Sequence, residues 1–170
     1  MTFVVSHPTG NSFVKGLIEE LNLKNLLSSF FTTIGFGNDY SFPFSLINGK
    51  RSYDIPDSKI HRLWYPELKR LLAKTDQVTS RRLADASYRE LDIKTSIKLS
   101  TISAKIIHAY EDGACNTFRK SKELGIQCSY ELPIAYWATS RRLLAEEAER
   151  YPHWEPTLEA TCETEEKLCT

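Results

Sequence analysis

The chain has 170 residues, 41% hydrophobic and 26% charged, the balance of an ordinary globular protein with room for one real core. Its 22 basic and 22 acidic residues cancel, so no global field draws nucleic acid or an anionic membrane. Only local basic pairs such as Arg81-Arg82 and Arg141-Arg142 leave room for peripheral membrane contact. No apolar run approaches the roughly 20 residues of a membrane span, no signal peptide is read at the N-terminus, and the expected compartment is the cytosol.

Five apolar runs read as strands: Phe3–Ser6, Leu27–Ile34, Lys59–Leu63, Lys105–Tyr110 and Gln127–Leu132. Helical patterns lie between and after them. Asn11–Leu23 is amphipathic, with Phe13, Leu17, Ile18 and Leu21 expected on its inner face. Glu67–Lys74 is a short apolar-periodic piece. Thr79–Thr101 is long and carries Leu83, Ala86, Leu91, Ile93, Ile97 and Leu99. Asn116–Leu124 ends at Gly125, a good C-cap residue. Trp137–Arg150 is strongly helical and stops before Pro152. Between the second and third strands, 35–57 holds several glycines and two prolines and reads as a long loop, the rim of a site. Strands alternating with helices predict an α/β fold: a Rossmann-like parallel sheet with helices on both faces, over 1–156. The polar, acidic segment 157–170 is expected to be a loose tail.

The loop after the first strand, Ser6-His7-Pro8-Thr9-Gly10-Asn11, runs straight into a helix. A helix N-terminus offers free N–H donors and about half a positive charge, which suits an anion. His7, Thr9, Gly10 and Asn11 are therefore candidate binding residues. The same residues also read as a plain turn with a helix cap. The loop is neither a dinucleotide fingerprint nor a P-loop.

A second loop, Tyr110-Glu111-Asp112-Gly113-Ala114, occupies the same place after the fourth strand. Both loops should open on one sheet edge. Its adjacent carboxylates could hold sugar hydroxyls or orient a cation, or simply favour a helix start. A third stretch, Glu131-Leu132-Pro133-Ile134-Ala135-Tyr136-Trp137, follows the last strand. Its aromatics, Tyr136 and Trp137, could stack on a sugar or staple the last helix.

Of the four histidines, His108 reads as core and His7, at a strand end, as the best candidate for hydrogen bonding a substrate. Cys115, Cys128, Cys162 and Cys169 show neither a C-x-x-C pair nor zinc-ligand spacing with histidine, so no metal and no catalytic thiol is expected.

Three strings in order resemble bacterial family 4-type glycosyltransferases: His7-Pro8-Thr9-Gly10-Asn11 after a first strand, Ala109-Tyr110-Glu111-Asp112-Gly113-Ala114 in mid-domain, and Glu131-Leu132-Pro133-Ile134, Tyr136-Trp137, Arg141-Arg142 and Glu146–Pro152 near the end. The resemblance implies the N-terminal, acceptor-side half of a GT-B enzyme, truncated before the donor domain. It implies a nucleotide-sugar co-substrate and no other cofactor, with transfer to a hydroxyl acceptor, by retention, and inactivity without a separate donor domain. It assigns Thr9, Gly10 and Asn11 to the donor diphosphate and Glu111 and Asp112, the catalytic candidates, to the transferred sugar or acceptor. Glu147 and Glu155 imitate the E-x7-E pattern of that family's donor domain, but Pro152 interrupts them and the match is read as coincidence. The alternatives are a non-catalytic interaction remnant of such an enzyme, offering Tyr136, Trp137, Phe42 and Phe44 to a partner, and a stand-alone phosphate-binding protein.

Overall fold

The computed structural model describes residues 1–40, 51–65, 77–132 and 136–153. Five parallel strands form one sheet: β1 (Phe3–Ser6), β2 (Leu27–Thr32), β3 (Ile60–Arg62), β4 (Ile106–Tyr110) and β5 (Gln127–Glu131). Their spatial order is β3-β2-β1-β4-β5. Four helices are described: α1 (Ser12–Leu23), α2 (Gln77–Leu99), α3 (Cys115–Glu123) and α4 (Trp137–Arg150). All five expected strands are present, β1 with the expected bounds and the other four shortened by a residue or two. The expected helix over Glu67–Lys74, Phe42 and Phe44, and the tail 157–170 lie outside the described residues.

Alternating side chains send apolar groups to both faces of the sheet, as a fully covered parallel sheet requires. On one face Val5, Phe30 and Ile60 pack with Val14, Ile18 and Leu21 of α1. On the other, Val4, Phe31 and Ile107 pack with Leu91 and Leu99 of α2, and Phe118 of α3 lies against the same cluster. The architecture is thus the doubly wound, Rossmann-like α/β sheet expected. The chain runs outward through β1, β2 and β3, then returns to add β4 and β5 on the other side of β1. The winding reverses between β1 and β4.

Three expectations change in detail. Phe13 does not face the core: it is 82% exposed, and Val14 takes the inner position. Val14, Ile18 and Leu21 recur at steps of four and three, whereas Phe13 precedes Val14 by one residue, about a quarter turn away. In α2 the buried stripe is Ser87, Leu91, Thr95 and Leu99, with Asp92 beside it, while Ile93 and Ile97 face outward. Buried hydroxyls hide this stripe from an apolar count. Thr95 donates to the Leu91 carbonyl at 2.8 Å, and the Ser6 and Thr95 hydroxyl oxygens lie 3.3 Å apart, tying β1 to α2. Finally, the described part of 35–57 is more than a rim. Phe36 pairs with Ser52, and Tyr53 and Ile55 are fully buried under α1's face of the sheet.

One polar contact positions the second loop. Asp92 of α2 is 3% exposed. Its Oδ2 accepts from the Asn116 backbone N–H at 2.8 Å and from Asn116 Nδ2 at 2.9 Å, and its Oδ1 accepts from the Thr117 N–H at 2.8 Å. Ala114, at the N-cap of α3, has no side chain able to do this. A carboxylate from a neighbouring helix therefore caps α3 in its place, meeting the positive helix end. We predict that Asp92→Ala destabilises the fold by about 2–4 kcal/mol, because it strands the buried Thr117 N–H and the half-buried Asn116 N–H. Asp92→Asn, which keeps one acceptor, should cost less. Urea unfolding measures both, and an unchanged midpoint for Asp92→Ala contradicts the cap.

Candidate functional site

In an open parallel sheet, a crevice forms at the carboxyl ends of the two strands where the winding reverses, because their following loops diverge to opposite faces. Here those strands are β1 and β4, paired directly with Ser6 opposite Ala109. The loop His7–Asn11 leaves β1 toward α1. The turn Glu111–Gly113, one turn of 3-10 helix, leaves β4 toward α3. The two loops singled out in the sequence are thus neighbours in space.

On the β1 side, His7 ends the strand, its N–H donating to the Phe31 carbonyl at 2.9 Å. The side chain is almost wholly enclosed, at 1% exposed. His7 Nδ1 accepts from the Thr9 N–H at 3.2 Å, and Nε2 lies 3.3 Å from Asn11 Nδ2 and 3.9 Å from Glu131 Oε2. A neutral imidazole accepts at one nitrogen only. The carboxylate beside Nε2 favours the proton there, leaving Nδ1 for Thr9. Burial pushes the His7 pKa down, partly opposed by Glu131, which favours the charged ring. Asn11 is the N-cap of α1, its Oδ1 accepting from the Val14 N–H at 2.8 Å. The loop is held from below as well: the Pro8 carbonyl accepts from the Thr33 hydroxyl at 2.5 Å and from Arg51 Nη1 at 3.4 Å. Thr9, Gly10 and Asn11 remain half-buried, and Ser12 and Phe13 are exposed.

The β4–β5 side is acidic. Glu131, at the end of β5 opposite Tyr110, is shared between two histidines. His108 Nε2 lies 3.2 Å from the same Glu131 Oε2 that faces His7, and His108 Nδ1 lies 3.0 Å from Ser129 Oγ. Tyr110 closes the group, its ring centroid 4.5 Å from that of His7. Glu111 is buried, and Asp112 sits beside it in the turn. Tyr136 is 47% exposed just before α4, and Trp137 is the first residue of that helix.

Of the candidates, His7 is hydrogen-bonded to the Thr9 N–H, and Asn11 lies beside its other ring nitrogen. Glu111 and Asp112 occupy the adjacent loop. His7 braces the loop from inside and does not lie open to a ligand. His108, expected in the core, is half-buried and bonded to polar partners. Glu131, which opens the third stretch noted in the sequence, joins Arg51 and Asp92 as residues that shape the site without being among its binding or catalytic candidates. For Glu131 the available signal was its place at a strand end, two residues beyond Ser129 on the same side of the strand. Among the described residues, no group of three or more His, Cys, Asp or Glu side chains is arranged to hold a metal ion, and no helix is long and apolar enough to cross a membrane.

No protein-family model matches the chain, and no curated protein does. Among solved structures, the crystal structure of TcCGT1 in complex with UDP is similar over 88% of this chain and 32% of that one, at 13% identity and a TM-score of 0.48. The chain therefore spans about a third of that protein's length. The strand order described above fixes the fold class by itself.

The burial of His7 gives a pH signature. A histidine whose folded pKa lies below its unfolded value of 6.5 stabilises the fold fully above that value, and the contribution is lost as pH falls through the folded pKa. Imidazole nitrogen NMR should find His7 titrating below 6.5, with the proton on Nε2 in the neutral form. A midpoint above 6.5, or a proton on Nδ1, contradicts this account of the loop.

Proposed function

We propose that the chain is the acceptor-side domain of a nucleotide-sugar-dependent glycosyltransferase, with the β1–β4 crevice as its share of the active site. The observation that carries the reading is the meeting of the His7–Asn11 and Glu111–Gly113 loops at the point where the sheet's winding reverses. The order of the three sequence motifs supports the glycosyltransferase class.

The crevice has two chemically different sides, and they suit the two ends of such a substrate. Two helices start directly beside the crevice, after β1 and β4. The N-terminus of α3 is already filled by the Asp92 carboxylate. That of α1 is capped by its own Asn11, which serves the Val14 N–H and leaves those of Ser12 and Phe13 without an intrahelical partner. With Arg51 beneath the loop, this is the side for a diphosphate. Glu111 and Glu131 on the other side repel phosphate and suit sugar or acceptor hydroxyls, which donate to carboxylates.

Transfer breaks the bond from the anomeric carbon to the diphosphate oxygen and forms one to the acceptor oxygen, releasing the nucleoside diphosphate and the hydroxyl proton. In this reading Glu111 and Asp112 stand near the transferred sugar or the acceptor, Tyr136 and Trp137 line the approach, and His7 holds the loop that meets the diphosphate. A second Rossmann-like domain, from the same or another polypeptide, supplies the rest of the nucleotide site. The chain alone is inactive, and transfer retains configuration, as the family resemblance implies. A cytosolic location, a nucleotide-sugar as co-substrate with no other cofactor, and no nucleic-acid partner belong to the same proposal.

The exposed Phe13 and Tyr136, at the starts of α1 and α4, favour one further possibility on this edge: contact with a partner without turnover. Isothermal titration separates the readings. A nucleoside diphosphate should bind at about millimolar or tighter, more strongly with a donor domain supplied in trans. Gly10→Val, which fills the space where the loop backbone meets phosphate, should weaken it at least about tenfold with the melting temperature retained. No binding of any nucleotide-sugar or nucleoside diphosphate, with or without a donor domain, overturns the enzyme reading.

A further inference from the structure

A separate cavity lies on the opposite flank of the sheet, between the edge strand β3 and α2. Its volume is about 620 Å³, within the range of small-molecule sites. One wall is a single stripe of α2: Leu91, Lys94, Ile97 and Lys98 recur at steps of three and four and so share a side. The other wall is β3 with the residues just after it, from His61 to Trp64. Phe31 forms the floor.

Two properties of this lining are specific. The first is aromatic. His61 stacks flat on Phe31, with ring centroids 4.5 Å apart and planes within 18°, and its Nε2 lies 3.3 Å from Ser29 Oγ. Trp64 stands at the mouth, 37% exposed. The second is charge. Among the described residues, three cations, Arg62, Lys94 and Lys98, line the cavity and no acidic side chain does. The Arg62 guanidinium is engaged with Asp57 and the Gly35 carbonyl, and Lys94 has Glu90 at 3.4 Å, both being exposed helix residues. Lys98 has no ion pair among the described residues. Among the described residues, Lys98 therefore adds an unpaired positive charge to an aromatic lining. Ile97, 65% exposed on the same stripe, adds apolar surface that no described residue covers.

We propose that this cavity is a binding site for a planar aromatic anion, with the ring system against His61, Phe31 and Trp64 and the acidic group between Lys94 and Lys98. It is distinct from the β1–β4 crevice and independent of the function proposed there. Stacking on aromatic faces and Lys–carboxylate attraction are each modest, and together they favour a ligand bearing both features.

The test uses 2-naphthoate and its neutral counterpart 2-naphthamide, followed by backbone amide NMR on the full chain. Naphthoate should bind at about millimolar or tighter, shifting resonances of Ile60–Trp64 and Leu91–Leu99, and naphthamide should bind about tenfold more weakly. The double change Lys94→Gln and Lys98→Gln, both on the exposed side of α2, should weaken naphthoate about tenfold and leave naphthamide unaffected. Should that variant prove poorly folded by urea unfolding, Lys98→Gln alone gives the same comparison. Equal binding of the two compounds, naphthoate binding indifferent to the lysines, shifts confined to other regions, or no binding at all overturns the proposal.

Discussion

The buried carboxylate of Asp92 is the contact on which the geometry of the candidate site rests. It lies on α2, yet its partners are the first free N–H groups of α3. This one group ties together two helices that pack on the same face, and it sets where the chain must turn after β4. The Glu111–Gly113 loop is the piece of chain between β4 and that anchored helix end. The contact also has an electrostatic consequence. A helix N-terminus occupied by a carboxylate is a poor site for a second anion, so of the two helices that follow β1 and β4 beside the crevice, α1 is the one that keeps that capacity.

The rest of the site follows from this asymmetry. β1 delivers a loop braced from within by His7 and from below by Thr33 and Arg51. β4 and β5 deliver carboxylates, with Glu131 shared between His7 and His108. The crevice is thus divided into a donor-rich side and an acceptor-rich side about the line where β1 and β4 pair. His7 belongs to both. It supports the Thr9 N–H through one nitrogen and faces Glu131 with the other, so its neutral state couples the shape of the first loop to the charge on the second side.

Much of this was legible in the sequence, and the parts that were not share a cause. The strands were visible as short apolar runs, and α4 was bounded correctly from Trp137 to Arg150 because its helical pattern and Pro152 punctuate both ends. The placing of the His7–Asn11 and Glu111–Gly113 loops on one edge followed from strand–helix alternation alone. What the sequence hid were the contacts between residues far apart in the chain. Asp92 sits 24 residues before Asn116, and nothing local distinguishes it from a solvated acid on a long polar helix. The inner stripe of α2 uses Ser87 and Thr95, whose hydroxyls bond back to their own helix at Leu83 and Leu91, so an apolar count alone does not separate the buried Leu91 and Leu99 from the exposed Ile93 and Ile97. Glu131 and His108 become a pair only when the register of β4 against β5 is known. Phe13 misled for a simpler reason: it is the largest apolar residue of α1 and one position away from the buried stripe.

In the proposed function an anion binds at the start of α1 and not at the start of α3. A crystal of the full chain soaked in sodium pyrophosphate tests it directly. The account predicts density for the diphosphate beside the N–H groups of Ser12 and Phe13, with Asp92 still bonded to Asn116 and Thr117. Density at the head of α3 with Asp92 displaced, or a sheet edge that stays empty while the ion binds elsewhere, would contradict it.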